Sequence, residues 1–223
     1  MAIFSVKVQA LDAGLPPGRP LPPVRSVLRR WWRLRVPNVY KEAAWRLTLN
    51  AFPTAARMHG SAVQGCAACG APSPDFGHHF WSCPVALAVR QELEGQLRAM
   101  EPPMLAADSS ISCAALWMGV KPHPGLLCIV WDMVCLAAVH AMNVGRCTAW
   151  AVSHAENGAA LPYLAVERIA SRAATVAMWD VLADFAATAV IPPAARGYRL
   201  TQQPFLAWHA VVTRGNGLRV IRR

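Results

Sequence analysis

Apolar residues recur at helical spacing through most of this chain. In KEAAWRLTLNAF (41–52), Trp45, Thr48, Leu49 and Phe52 stand at i, i+3, i+4 and i+7, which predicts a helix with one apolar face. PVALAVRQELEGQLRAM (84–100) repeats the pattern with Val85, Val89, Leu93, Leu97 and Met100, and Pro84 suits a first helical position. Further helices are expected at CAALWMG, along the run 125–150, and over 163–190, where Val166, Ile169, Ala173, Val176, Leu182 and Phe185 keep the period. Prolines punctuate these stretches: LPPGRPLPPVR (15–25) reads as extended, Pro37 closes an Arg/Trp block, and Pro53-Thr54 breaks the first helix. Only the tail departs from helical spacing, with β-branched residues around Gly215-Asn216-Gly217 that suit a hairpin. The expected fold is therefore mainly α: a helical domain with a small metal knuckle and a C-terminal β-hairpin. Its expected boundaries are a Pro-rich, disordered lead-in (1–24), a metal-knuckle domain (25–100), a linker (101–110), a helical domain (111–190) and a basic tail with the hairpin (191–223).

The most apolar stretch, GLLCIVWDMVCLAAVHAMNVG (125–145), is about long enough to span a bilayer. Asp132 and His140 fall inside it, and charged or titratable groups in hydrocarbon are costly, so a buried helix in a globular bundle is the expectation. Hydrophobic residues make up 55% of the chain and charged residues 15%, which excludes a wholly disordered protein. Nine Trp call for either a core or a binding surface.

Charge then narrows the class of partner. Residues 1–60 carry ten Lys/Arg against Asp12 and Glu42, residues 61–190 carry six against ten acids, and residues 191–223 carry six Arg and no acid. Basic ends around a slightly acidic body suit a polyanion such as RNA or DNA. The densest basic stretch, RSVLRRWWRLRVP, sets Arg25, Arg29, Arg30, Arg33 and Arg35 beside Trp31 and Trp32. Arginines on phosphates and indoles on unpaired bases are the usual parts of a single-strand site, and these seven are the candidates. The competing reading is a solvated basic helix face. A second reading of the apolar helices is a scaffold that binds a protein partner.

Seven cysteines accompany a start, MAIFSVKVQALDAGLPPG, that does not read as a secretory signal. An intracellular, reducing compartment, nucleus or cytoplasm, is expected, where clustered thiols are better metal ligands than disulfides. Three of them lie in CAACGAPSPDFGHHFWSC (66–83). Cys66 and Cys69 form a C-x2-C knuckle, Gly70 allows a tight turn, and His78 and Cys83 complete C-x2-C-x8-H-x4-C. Three sulfurs and one nitrogen suit a closed, structural Zn2+ site that performs no chemistry on a substrate. His79 rivals His78, because H-x3-C spacing also occurs in zinc fingers. A redox C-x-x-C would need a βαβ context. Asp75-Phe76-Gly77 has no glycine-rich loop or H-R-D upstream, so its likeness to a kinase motif reads as chance. No paired-carboxylate, nucleophile–base or open-metal arrangement supports an enzyme.

The block from Trp31 to about residue 90 resembles the zinc-binding region that follows the polymerase domain in non-LTR retrotransposon reverse transcriptases. Trp32, Val36-Pro37, Trp45-Arg46-Leu47, Pro53-Thr54, Cys66, Cys69, His78, Phe80 and Cys83-Pro84 stand where that region carries its motifs. The resemblance implies a helical, zinc-stapled fold that helps hold template RNA or target DNA, and it aligns His78 as the fourth ligand. The chain lacks an Asp-Asp pair, so no polymerase activity is carried over with the resemblance.

Overall fold

The computed structural model describes residues 7–8, 21–34, 36–52, 65–72, 74–99, 103, 105–122, 126, 128–189, 211–213 and 219–221. They form six α-helices, one π-helical turn and a pair of short strands. The helices are α1 (Val24–Trp32), α2 (Asn38–Thr48), α3 (Pro84–Ala99), α4 (Cys113–Met118), α5 (Cys128–Ala155) and α6 (Tyr163–Ala189). The π-turn occupies His78–Ser82, immediately ahead of α3. In the tail, Val211–Thr213 pairs antiparallel with Arg219–Ile221, Val212 facing Val220. The mainly helical expectation therefore holds.

The two longest helices, α5 and α6, make a hairpin, and α3 packs along both of them, with α2 crossing α5. Val85, Val89, Leu93 and Leu97 all point into the core, the stripe their spacing predicts. Over the α2 segment the expected stripe splits: Thr48 and Phe52 are buried, Trp45 and Leu49 are exposed, and Tyr40, Ala43, Ala44 and Leu47 are buried at the same i, i+3, i+4, i+7 spacing. The two alanines explain the choice, because small side chains let α2 come close to the body of the bundle. Helix α5 is long and apolar enough to cross a membrane, yet 72% of its most apolar stretch is buried within the protein.

One core runs through both halves of the chain, from Val27 and Leu47 to Leu136 and Val181. The segment expected to be a linker takes part in it. Leu105 is buried, Arg98 donates to the carbonyls of Ala106 and Ser109, and Glu94 accepts from the amide of Ile111. Helix α4 is buried throughout and closed at both ends. Ser112 Oγ accepts from Ala115 N at 3.0 Å, and Gly119 ends the helix in the left-handed region at φ 59°.

Asp132 sits in the middle of α5 because three donors meet it. Arg30 of α1 approaches as a fork, Nε to Oδ2 at 2.5 Å and a terminal nitrogen to Oδ1 at 2.7 Å, while Trp31 Nε1 reaches Oδ1 at 2.8 Å. A third Arg30 bond, 3.1 Å to the carbonyl of Gly119, ties in the end of α4. Burial raises the Asp132 carboxyl, and these donors only partly offset it; the Arg30 guanidinium is held above its usual value. Both oxygens are engaged by a bidentate fork, so the pair is ionised, and desolvation keeps its net contribution small.

A methyl group at Gly119 would run into the Arg30 guanidinium and come within 2.9 Å of Asp132 Oδ1. Gly119→Ala therefore combines left-handed backbone strain of about 1–2 kcal/mol with displacement of this ion pair. A shift in the denaturation midpoint at unchanged slope, equivalent to more than about 2 kcal/mol, is expected.

His140 of α5 lies against the Tyr40 ring, centroids 4.5 Å apart, and its Nδ1 is buried without a partner among the described residues. Burial holds its pKa below the usual histidine value, against the pull of Asp180. The unfolded chain thus takes up a proton at higher pH than the folded one. The stability contribution is complete above about pH 6.5 and declines as pH falls below it. Unfolding curves at pH 7.5 and 5.5 should show a smaller acid loss in His140→Leu than in the parent.

Candidate metal centre

The knuckle is built by backbone bonds before any ligand is considered. Cys66 N donates to Ala71 O at 2.8 Å, and Cys69 N and Gly70 N both donate to Cys66 O, at 3.2 and 2.6 Å. This tight reversal needs the left-handed backbone of Gly70, φ 72°, as the sequence suggested. It points Cys66 inward and leaves Cys69 at the surface.

The second pair of ligands depends on the π-turn. In an α-helix, residues five apart lie about 140° apart around the axis, so His78 and Cys83 would diverge. Here Cys83 N donates to His78 O at 2.7 Å, an i→i+5 bond that widens the turn and returns the chain to the same side. Cys83 then adopts an extended backbone, and α3 starts at Pro84.

Together these elements bring one ligand atom from each of Cys66, Cys69, His78 and Cys83 within 4.8 Å of one another, a group placed to hold a metal ion. Cys66 Sγ and Cys83 Sγ are 3.7 Å apart, and Cys69 Sγ and His78 Nε2 are 3.5 Å apart. His79 is not in the group; its ring turns into the protein, edge-on to His78. A hydrogen bond links the two buried thiols; opposed by burial, it holds Cys66 far below the ordinary thiol range, and together with burial it pushes Cys83 far above it. Burial also raises Cys69.

The aromatic residues that follow the histidines pack into the core. Phe80 is fully buried and stacks on Phe52 at 4.4 Å, with the Arg146 guanidinium 5.9 Å from its ring. Trp81 meets Trp117 edge-on at 6.2 Å and carries the Arg90 guanidinium at 3.8 Å. From the far side, Leu161 N donates to Ala67 O at 3.2 Å, so the α5–α6 turn rests on the knuckle.

The seven proposed nucleic-acid contacts divide. Arg25, Arg29, Trp32 and Arg33 are exposed, with Trp32 at 56%. Arg30 and Trp31 are corrected: both are committed to Asp132, and Trp31 is 2% exposed. The physical reason is the 100° step between neighbours on a helix, which puts Trp31 beneath α1 and Trp32 above it. Arg35 lies outside the described residues. Lys41 of α2, unremarked in the sequence, approaches the Trp32 ring at 5.9 Å. Comparison of the chain with protein-family models, curated proteins and solved structures finds no match.

Proposed function

We propose that this chain is a zinc-stabilised nucleic-acid-binding module of the kind that follows the polymerase domain in non-LTR retrotransposon reverse transcriptases, acting inside the cell without catalysis of its own. The observation that carries the zinc reading is the spacing of the ligand atoms. Thiolates about 2.3 Å and an imidazole about 2.0–2.1 Å from a tetrahedral ion lie about 3.8 Å (S to S) and about 3.5 Å (S to N) apart. The separations of 3.7 and 3.5 Å fit both edges, and the 3.7 Å gap is far longer than a disulfide. With Cys66, Cys69, His78 and Cys83 all engaged, zinc has no open position. Its role is then to hold the knuckle, the π-turn and the start of α3 in one geometry.

Nucleic-acid binding rests on the exposed side of α1. Arg25 and Arg29 are one turn apart, and Trp32 and Arg33 follow at the helix end, a basic strip with one open indole. A single strand would place phosphates on the arginines and a base on Trp32. Affinity for labelled single-stranded RNA and DNA should fall steeply as salt rises. Arg29→Ala with Arg33→Ala should shallow the log–log salt slope by about 1.4, while Arg30→Met with Asp132→Leu should leave it unchanged. Lack of binding at low salt would overturn the reading.

Trp150, Tyr163 and Leu164 are exposed around the α5–α6 turn. They favour the second reading, a scaffold with a protein partner and a purely structural zinc.

A further inference from the structure

The Asp75-Phe76-Gly77 triplet, without a role in the sequence reading, sits against the metal group. Asp75 Oδ1 accepts from the backbone amide of His78 at 2.7 Å, and Asp75 O accepts from His79 N at 3.0 Å. The same residue therefore holds both of the first two amides of the π-turn. Its other oxygen, Oδ2, accepts from Lys7 Nζ at 2.9 Å. Lys7 also lies over the Phe76 ring at 5.9 Å, and Phe76 is buried against Trp117, centroids 5.9 Å apart. A methyl group at Gly77 would meet the end of the Lys7 side chain, which would have to shift to make room for it.

We propose that Asp75, oriented by Lys7, is the positioning residue for the histidine ligand: it fixes the start of the π-turn so that His78 Nε2 faces the three sulfurs. The inference rests on the reading that Cys66, Cys69, His78 and Cys83 hold zinc. Cys66 and Cys83 are buried, and Cys83 is fixed further by the start of α3, whereas His78 is half-exposed at the mouth of the turn. Among the described residues, the hydrogen bond from His78 N to Asp75 is the side-chain bond that anchors its backbone. A ligand held through such an outer partner needs no further ordering when the ion binds, so loss of the partner is read directly as weaker binding.

The test is zinc(II) affinity of the full chain, measured by competition with a chromophoric chelator, together with the cobalt(II) ligand-field spectrum. Asp75→Ala should weaken zinc binding about 10- to 100-fold and change the cobalt bands as the histidine becomes loosely held. Asp75→Asn keeps an acceptor for His78 N and should recover most of the affinity. Lys7→Met should lie between Asp75→Asn and the parent. Should Asp75→Ala fail to fold, Asp75→Glu, whose oxygens are displaced by one methylene, is judged by the same two readouts. An alanine variant with parental affinity and an unchanged cobalt spectrum would overturn the role of Asp75 while leaving the zinc site intact. A parent that binds neither ion would remove the zinc reading, and this inference with it.

Discussion

Cys83→Ala is expected to abolish stoichiometric zinc binding and to erase the response of thermal stability to zinc. A ligand that binds only the folded chain contributes about 4 kcal/mol when its concentration is a thousandfold above Kd. In a chain of this size that corresponds to a rise in Tm of roughly 8–16 °C. The parent should show such a rise between excess chelator and excess zinc, and the variant should melt at one temperature in both. Cys83 is the most informative ligand to remove, because it joins the π-turn to α3 and its sulfur is buried beside that of Cys66. Cys69→Ala, at the exposed corner, should lose the metal with less cost to the apo core. A parent whose melting is indifferent to chelator, with no zinc found on metal analysis, would sink the site.

Arg30→Ala is expected to cost about 3–5 kcal/mol, far more than an arginine on a solvated helix face. Truncation would leave Asp132, 1% exposed, as a buried carboxylate with only the Trp31 indole to engage it. Arg30→Met combined with Asp132→Leu should recover most of the loss, since the desolvation cost disappears with the charges. Urea denaturation of the two single variants and the double variant forms the cycle that measures the coupling. A loss below about 1 kcal/mol in Arg30→Ala would return Arg30 to the surface basic strip.

What the sequence made legible followed from covalent spacing. Cys66, Cys69, His78 and Cys83 are at most 17 positions apart, so their convergence needs only local turns, and Gly70 marks one of them. The stripe from Val85 to Leu97 was equally plain, because a long helix with four large apolar residues at one spacing has a single face to bury. Residues whose environment is set by distant chain were not legible. Nothing local distinguishes Trp31 from Trp32; the choice is made by Asp132, a hundred positions away. A lone aspartate in an apolar run does require a cationic partner, but seven Lys/Arg between Arg25 and Arg46 offer one, and the sequence does not rank them. On α2, bulk pointed to Trp45 while close approach favoured Ala43 and Ala44. The stretch 101–110 looked like a linker from its prolines, yet within it the carbonyls of Ala106 and Ser109 accept from Arg98.

The ligand tetrahedron has a wet edge and a dry edge. Cys69 lies at the surface and His78 is half-buried, whereas Cys66 and Cys83 are buried in the core. An incoming chelator or a metallochaperone thus meets the Cys69–His78 edge first and must exchange those two donors before the buried pair. The last step of release is then limited by how often the π-turn lifts from the bundle. Residence time of a bound metal ion would then depend on α3 and α5 packing as well as on thiolate affinity, and a bundle that breathes more should shed such an ion sooner even with all four ligands unchanged.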